Sequence, residues 1–126
     1  MNDYSYNVDM NDVEFVSKMD KFLKIVADET RLKIMFALLD ENECHCTCEA
    51  RHCSSCKCLS CMIELSVNQI VKKVDKSQSL ISHQLKVLKD ANFVSSLKVG
   101  RTIFYSLKDG HIKELLNIIK EHLEEE

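Results

Sequence analysis

The sequence predicts a mainly α-helical domain carrying one small β-hairpin, and three observations lead there. Apolar residues recur at helical spacing in five separate segments, the pattern of helices that bury one face. The period shortens in a single place, where FVSSLKV and TIFYSL flank Gly100-Arg101, a hairpin signal. With no proline and two glycines in 126 residues, the chain lacks the turn formers that an all-β fold with many tight turns requires. The length suits one domain with a real core. Apolar and charged fractions of 45% and 29% are those of a globular chain rather than a disordered one.

Residues 1–12 read as a flexible polar tail ahead of a domain over 13–126. From Val13 to Val26, the residues Phe15, Val16, Met19, Phe22, Leu23 and Val26 follow helical spacing. Asp28 is placed to cap a second helix, TRLKIMFALL, running to about Asp40. A cysteine-rich segment occupies 42–62. Ser66 then opens S-V-N-Q, a capping box in which Gln69 reaches back to the cap, with Val67, Ile70, Val71 and Val74 on one apolar face. After a short turn at Asp75-Lys76, Ser77 can cap a fourth helix. That helix has Leu80, Ile81, Leu85, Val87 and Leu88 in or near its core stripe and ends near Asn92. The hairpin takes 93–108. A last helix, 109–124, carries Ile112, Leu115, Leu116, Ile119 and Leu123 on one side and charge on the other.

The N-terminus, MNDYSYNVDMNDVEF, is acidic and has no basic start followed by an apolar run, so no signal peptide is expected. No apolar stretch reaches the roughly 18 residues that span a membrane, and no membrane partner is expected. A cytoplasmic location follows, where closely spaced cysteines hold metal more readily than disulfides. The net charge of −3 argues at first against nucleic acid, but its distribution reverses that. Between Lys72 and Lys108 the chain carries eight basic residues against Asp75 and Asp90, while residues 1–20 and 109–126 are each net −4. A basic middle between acidic ends fits a local anion-binding face.

Two short helices joined by a tight turn, the second opening on small polar residues, suggest a helix-turn-helix over 66–92. A reading helix must offer short donors and acceptors to base edges while its other face stays apolar and docked. In SQSLISHQLKVLK, Gln78, Ser79, Ser82 and His83 lie towards one face and Leu80, Ile81, Leu85 and Leu88 serve the other. Lys86 and Lys89 add attraction to phosphates. Lys98 and Arg101 near the hairpin tip make that hairpin a candidate wing along the duplex. Alone, His83 is more often a surface or capping histidine; the whole string favours DNA contact.

TRLKIMFALL, SQSLISHQLKVLKDANFV and GRTIFYSL together resemble the ArsR/SmtB family of winged-helix metal-sensing repressors. The likeness covers nearly the whole chain except the tail and the cysteine segment. It implies a winged helix-turn-helix homodimer that pairs through its N- and C-terminal helices and reads a two-fold operator in double-stranded DNA, with Gln78, Ser79, Ser82 and His83 in contact. Glu29 departs from the proline that members often carry before T-R-L, and a glutamate suits a first helical turn.

The last segment, DGHIKELLNIIKEHLEEE, offers Asp109, His111, His122 and Glu125 as metal ligands. His111 and His122 share a helix face but lie about 16 Å apart along the axis at 1.5 Å per residue. One chain therefore cannot bring both to one zinc ion, whose ligands lie about 2 Å away. An antiparallel pair of these helices can, joining Asp109 and His111 of one chain to His122 and Glu125 of the other. The alternative is two histidines on a solvated face with incidental acids. The resembling family has a C-terminal-helix zinc site of this spacing. It also implies a link from a zinc-bound histidine to the end of the reading helix, here from His122 to the backbone near Asn92.

Family members that sense soft metals carry thiols in E-L-C-V-C; the aligned string here is Glu64-Leu65-Ser66-Val67-Asn68, with Ser66 and Asn68 at the thiol positions. The cysteines lie earlier instead, as an insertion containing Cys44, Cys46, Cys48, Cys53, Cys56, Cys58 and Cys61, with His45 and His52 among them. Such thiolates suit Zn(II), Cd(II) or Cu(I). Three readings stand: a structural zinc knuckle, a second soft-metal site that senses or buffers, and a thiol-rich loop with redox reactivity. The expected protein is a repressor that binds operator DNA without metal and releases it when Zn(II) fills the inter-subunit site. Its rivals are a soft-metal sensor switched by the cysteine insertion and a metal-storage protein. No phosphate loop or placed nucleophile marks an enzyme.

Overall fold

The computed structural model describes residues 11–39 and 64–124. The cysteine segment, Glu125 and most of the expected tail lie outside the described residues. Helix α1, Val13–Val26, starts where the Asp12 carboxylate accepts the Phe15 N–H at 3.1 Å. Helix α2, Glu29–Ala37, starts where Asp28 accepts the Arg31 N–H at 3.0 Å. It stops short of the expected Asp40. Leu38 donates to the Met35 carbonyl and Leu39 to that of Phe36, each at 3.1 Å, a tightened last turn that sends both leucines into the core.

A two-residue strand β1, Leu65–Ser66, leads into α3, Val67–Val74. Both halves of the expected capping box form: Gln69 Oε1 accepts the Ser66 N–H at 2.8 Å, and Ser66 Oγ accepts the Gln69 N–H at 3.3 Å. Asp75, in the left-handed region at φ 59°, ends α3. Helix α4, Gln78–Asp90, begins where Ser77 Oγ accepts the Leu80 N–H at 3.3 Å. It ends in paired bonds from Phe93 N–H to the Leu88 carbonyl (2.8 Å) and Asn92 N–H to that of Lys89 (3.0 Å). Asn92 takes φ 63° between them, a Schellman closure that redirects the chain into the sheet.

Strands β2, Val94–Val99, and β3, Thr102–Leu107, pair antiparallel from Val94↔Leu107 to Val99↔Thr102. Gly100, at φ 64°, takes the first position of the two-residue turn. Strand β1 pairs on the other edge of β3, as Leu65↔Tyr105 and Ser66↔Phe104, so the sheet order is β1-β3-β2. The sequence pattern marks only the hairpin, because the two residues of β1 are too few to show a period. Helix α5, Gly110–Glu124, follows.

The core joins α2, α3 and α4: Ile34, Met35, Leu38, Ile70, Ile81, Leu85 and Leu88 are all at 0% exposure. Phe93 after α4, Val94 and Leu107 of the sheet and Leu116 of α5 close it. Each such side chain contributes about 1.5–3 kcal/mol by leaving water. Ion pairs at i, i+4 on exposed faces, such as Asp20–Lys24 at 2.9 Å, add only tenths of a kcal/mol, roughly. No helix among the described residues is long and apolar enough to cross a membrane.

Candidate nucleic-acid interface and candidate metal centre

On α4 the division of faces follows the sequence pattern. Gln78, Ser79, Ser82, His83, Lys86 and Lys89 are exposed, while Ile81, Leu85 and Leu88 are buried and Leu80 and Val87 half-buried. The 3.6-residue period produces this: every third or fourth side chain is held by the core, so those between must face water. Ser77 and Ser79 place their hydroxyls 3.5 Å apart at the helix start, at the positive end of the helix dipole. Lys98 on β2 and Arg101 in the turn are both exposed. The base of this wing is tied to the end of α4, because Lys108 N–H donates to the Phe93 carbonyl at 2.9 Å.

The approach to α4 is also charged. Lys72, Lys73 and Lys76 are exposed on α3 and in the turn. The Glu29 carboxyl is held below the usual carboxylate range, first by its hydrogen bond to Lys33, then by the charges of Lys33 and Lys76. The Lys33–Glu29 separation is 3.0 Å.

Arg31 makes a tertiary contact that the sequence pattern does not show. From α2 its Nε donates to Gln84 Oε1 on α4 at 2.6 Å, and its Nη1 to the Ile25 carbonyl of α1 at 3.4 Å. The T-R-L string marks the residue, but no local spacing pairs it with a partner 53 positions away.

At the start of α5, Asp109 and His111 come together. Asp109 Oδ1 accepts the backbone N–H of His111 at 2.9 Å and of Ile112 at 3.3 Å, so it caps the helix, a role the sequence analysis did not assign. The same oxygen lies 3.5 Å from His111 Nδ1, whose side chain is 74% exposed. His122 is exposed near the other end of α5. Among the described residues no three potential ligands gather closely enough to hold a metal ion. One imidazole and one carboxylate lie adjacent there and face water, and both are ligand types that zinc takes.

Residues 61–96 match the family described as bacterial regulatory protein, arsR family. The chain is 29% identical over 86% of its length to a transcriptional repressor SmtB homologue of Synechocystis, of which it spans 65%. It is 30% identical, again over 86%, to an uncharacterised HTH-type transcriptional regulator of Methanocaldococcus jannaschii, of which it spans 99%. A cadmium resistance transcriptional regulatory protein CadC homologue of Staphylococcus aureus is 28% identical over 76% of this chain and 62% of its own length. Among solved structures, HlyU from Vibrio cholerae superposes with a TM-score of 0.63 at 26% identity, covering 86% of this chain and 95% of that one. The elements, their order and these relatives agree: the chain belongs to the ArsR/SmtB family of winged helix-turn-helix transcriptional regulators, a family of regulators rather than enzymes.

Proposed function

We propose that this protein is a metal-responsive transcriptional repressor that binds operator DNA as a homodimer and releases it when Zn(II) occupies sites between the two α5 helices. The observation that carries the DNA reading is the split face of α4: Gln78, Ser79, Ser82, His83 and Lys86 outward, Ile81, Leu85 and Leu88 locked in the core. A helix anchored this way presents short polar groups to base edges at fixed positions, with Lys98 and Arg101 on the adjoining duplex backbone. Dimerisation is supported by apolar side chains exposed among the described residues, Phe15, Val16, Met19 and Leu23 on α1 and Ile119 and Leu123 on α5.

Asp109 and His111 of one chain, with His122 and Glu125 of the second, would hold the ion, which supplies a cross-link between the helices. Because ligand and DNA favour different arrangements of the two chains, each weakens the other's binding. The SmtB and CadC relatives named above support a metal response. A second reading has its own observation: seven cysteines within the eighteen residues from Cys44 to Cys61 make a soft-metal site for Cd(II), Cu(I) or Zn(II), which would be the switch itself.

The two readings separate in one titration. Affinity for a duplex selected by the wild-type protein from random-sequence DNA is measured against free Zn(II), Cd(II) and Cu(I). The proteins are wild type, His111→Ala/His122→Ala, and a variant with all seven cysteines replaced by serine. The inter-subunit reading expects the double alanine to stay bound at zinc concentrations that release wild type. Loss of the response in the serine variant alone assigns the switch to the insertion.

A further inference from the structure

The side chain of Arg31 reaches out of α2 in two directions at once. Its Nε–H is committed to Gln84 on α4 and an Nη1–H to the carbonyl of Ile25, one residue before the end of α1. Gln84 is half-buried on the shoulder of α4, next to His83 and two residues past Ser82. A guanidinium is planar and its N–H directions are fixed relative to one another, so two bonds from one group set both a distance and an angle between their acceptors. A lysine, with a single ammonium on a flexible stem, can satisfy either partner but does not define that angle.

A second contact acts further along. The rings of Phe22 on α1 and Phe93 stack with centroids 4.7 Å apart and planes 28° from parallel. Phe93 is the residue whose N–H closes the end of α4. Helix α4 is thus held against α1 at two places, through Gln84 by way of Arg31 and at its C-terminal closure through Phe22.

We infer that Arg31 is a positioning residue for DNA reading: without touching DNA, it fixes the angle of α4 against α1 through Gln84. This rests on the DNA-binding reading of α4. Base-edge contacts from Gln78, Ser79, Ser82 and His83 use short side chains and tolerate little rotation of the helix. Phosphate contacts from Lys86, Lys98 and Arg101 use long ones that follow it. Loosening the clamp therefore lowers sequence discrimination before it lowers general attraction to DNA.

The test compares wild type, Arg31→Lys, Gln84→Met and the double variant. Each is titrated with a duplex that wild type selects from random-sequence DNA and with a scrambled duplex of the same composition. Each single variant is expected to lose about tenfold in affinity for the selected duplex, from one charged hydrogen bond. The scrambled duplex should change less than about twofold, with the same salt dependence. The double variant should discriminate no worse than either single, the non-additivity of one shared interaction. Unchanged affinity for the selected duplex in a folded variant overturns the proposal. So does equal weakening on both duplexes, which is what general destabilisation produces. If Arg31→Lys fails to fold, Gln84→Met at its half-exposed site decides alone. A wild-type protein that selects no duplex at all sinks the DNA reading itself, a result distinguishable from failure of the clamp.

Discussion

Helices α1 and α4 are of similar length and each carries an apolar stripe, yet the fold treats them oppositely. The stripe of α4 disappears: Ile81, Leu85 and Leu88 are at 0% exposure. That of α1 stays largely in water, with only Val26 buried and Leu23 at 52% exposure. Helix α5 shows both treatments in one element, since Ile112 and Leu116 enter the core while Leu123 is 59% exposed. Burial in the core fixes α4 in place within the single chain. Apolar surface exposed on α1 and α5, among the described residues, is the kind that a second copy covers. Amphipathic patterning marks which face is apolar, and the neighbours decide whether it meets core or partner.

The contrast breaks most directly at Leu85. Leu85→Ala should lower unfolding free energy by about 2–5 kcal/mol, as lost transfer energy and a cavity combine, read from urea denaturation. A loss within experimental error would mean that α4 is not anchored as described. Next, Leu23→Asp on α1 should separate a dimer into monomers in sedimentation while leaving the helical circular dichroism intact. A substitution at a site exposed in the single chain costs that chain about 0.5 kcal/mol or less. If Leu23→Asp sediments as wild type does, the open stripe of α1 is not the dimer face.

The smallest effect is electrostatic. The Glu29 carboxyl is held low chiefly by Lys33, so its contribution is complete above the unfolded-state value and is lost as pH falls through the lowered folded one. Wild type should melt slightly above Glu29→Gln at neutral pH, and the gap should narrow steadily as pH falls below the ordinary glutamate range. A gap that widens on acidification reverses the sign. The pair is exposed and screened, which is why it ranks last.

Local features were legible because their causes are local. Asp28, Ser66 and Ser77 cap helices they immediately precede, and Gln69 completes a box three residues from its partner. Gly100 supplies the positive φ that the two-residue turn uses. The exposed polar face of α4 followed from the same reasoning, since a strict period leaves few positions for each face. Strand β1 did not, because a pair of residues has no period and Leu65 is a strand only by virtue of Tyr105. The cap made by Asp109 was hidden behind its appeal as a ligand; a carboxylate one residue before a helical glycine is also the ordinary signature of a helix start.

By itself the sequence determined the helices, the hairpin and the polar row from Gln78 to Lys86, because capping, periodicity and turn chemistry act within a few residues. It also determined that His111 and His122, eleven positions apart on one helix, cannot meet in a single chain. Only the tertiary structure decided which apolar stripes are consumed by the core and which remain open. It alone brought Arg31 to Gln84 and Phe22 to Phe93. Those contacts join residues far apart in the chain, and their geometry depends on how whole helices pack, which no short window of sequence contains.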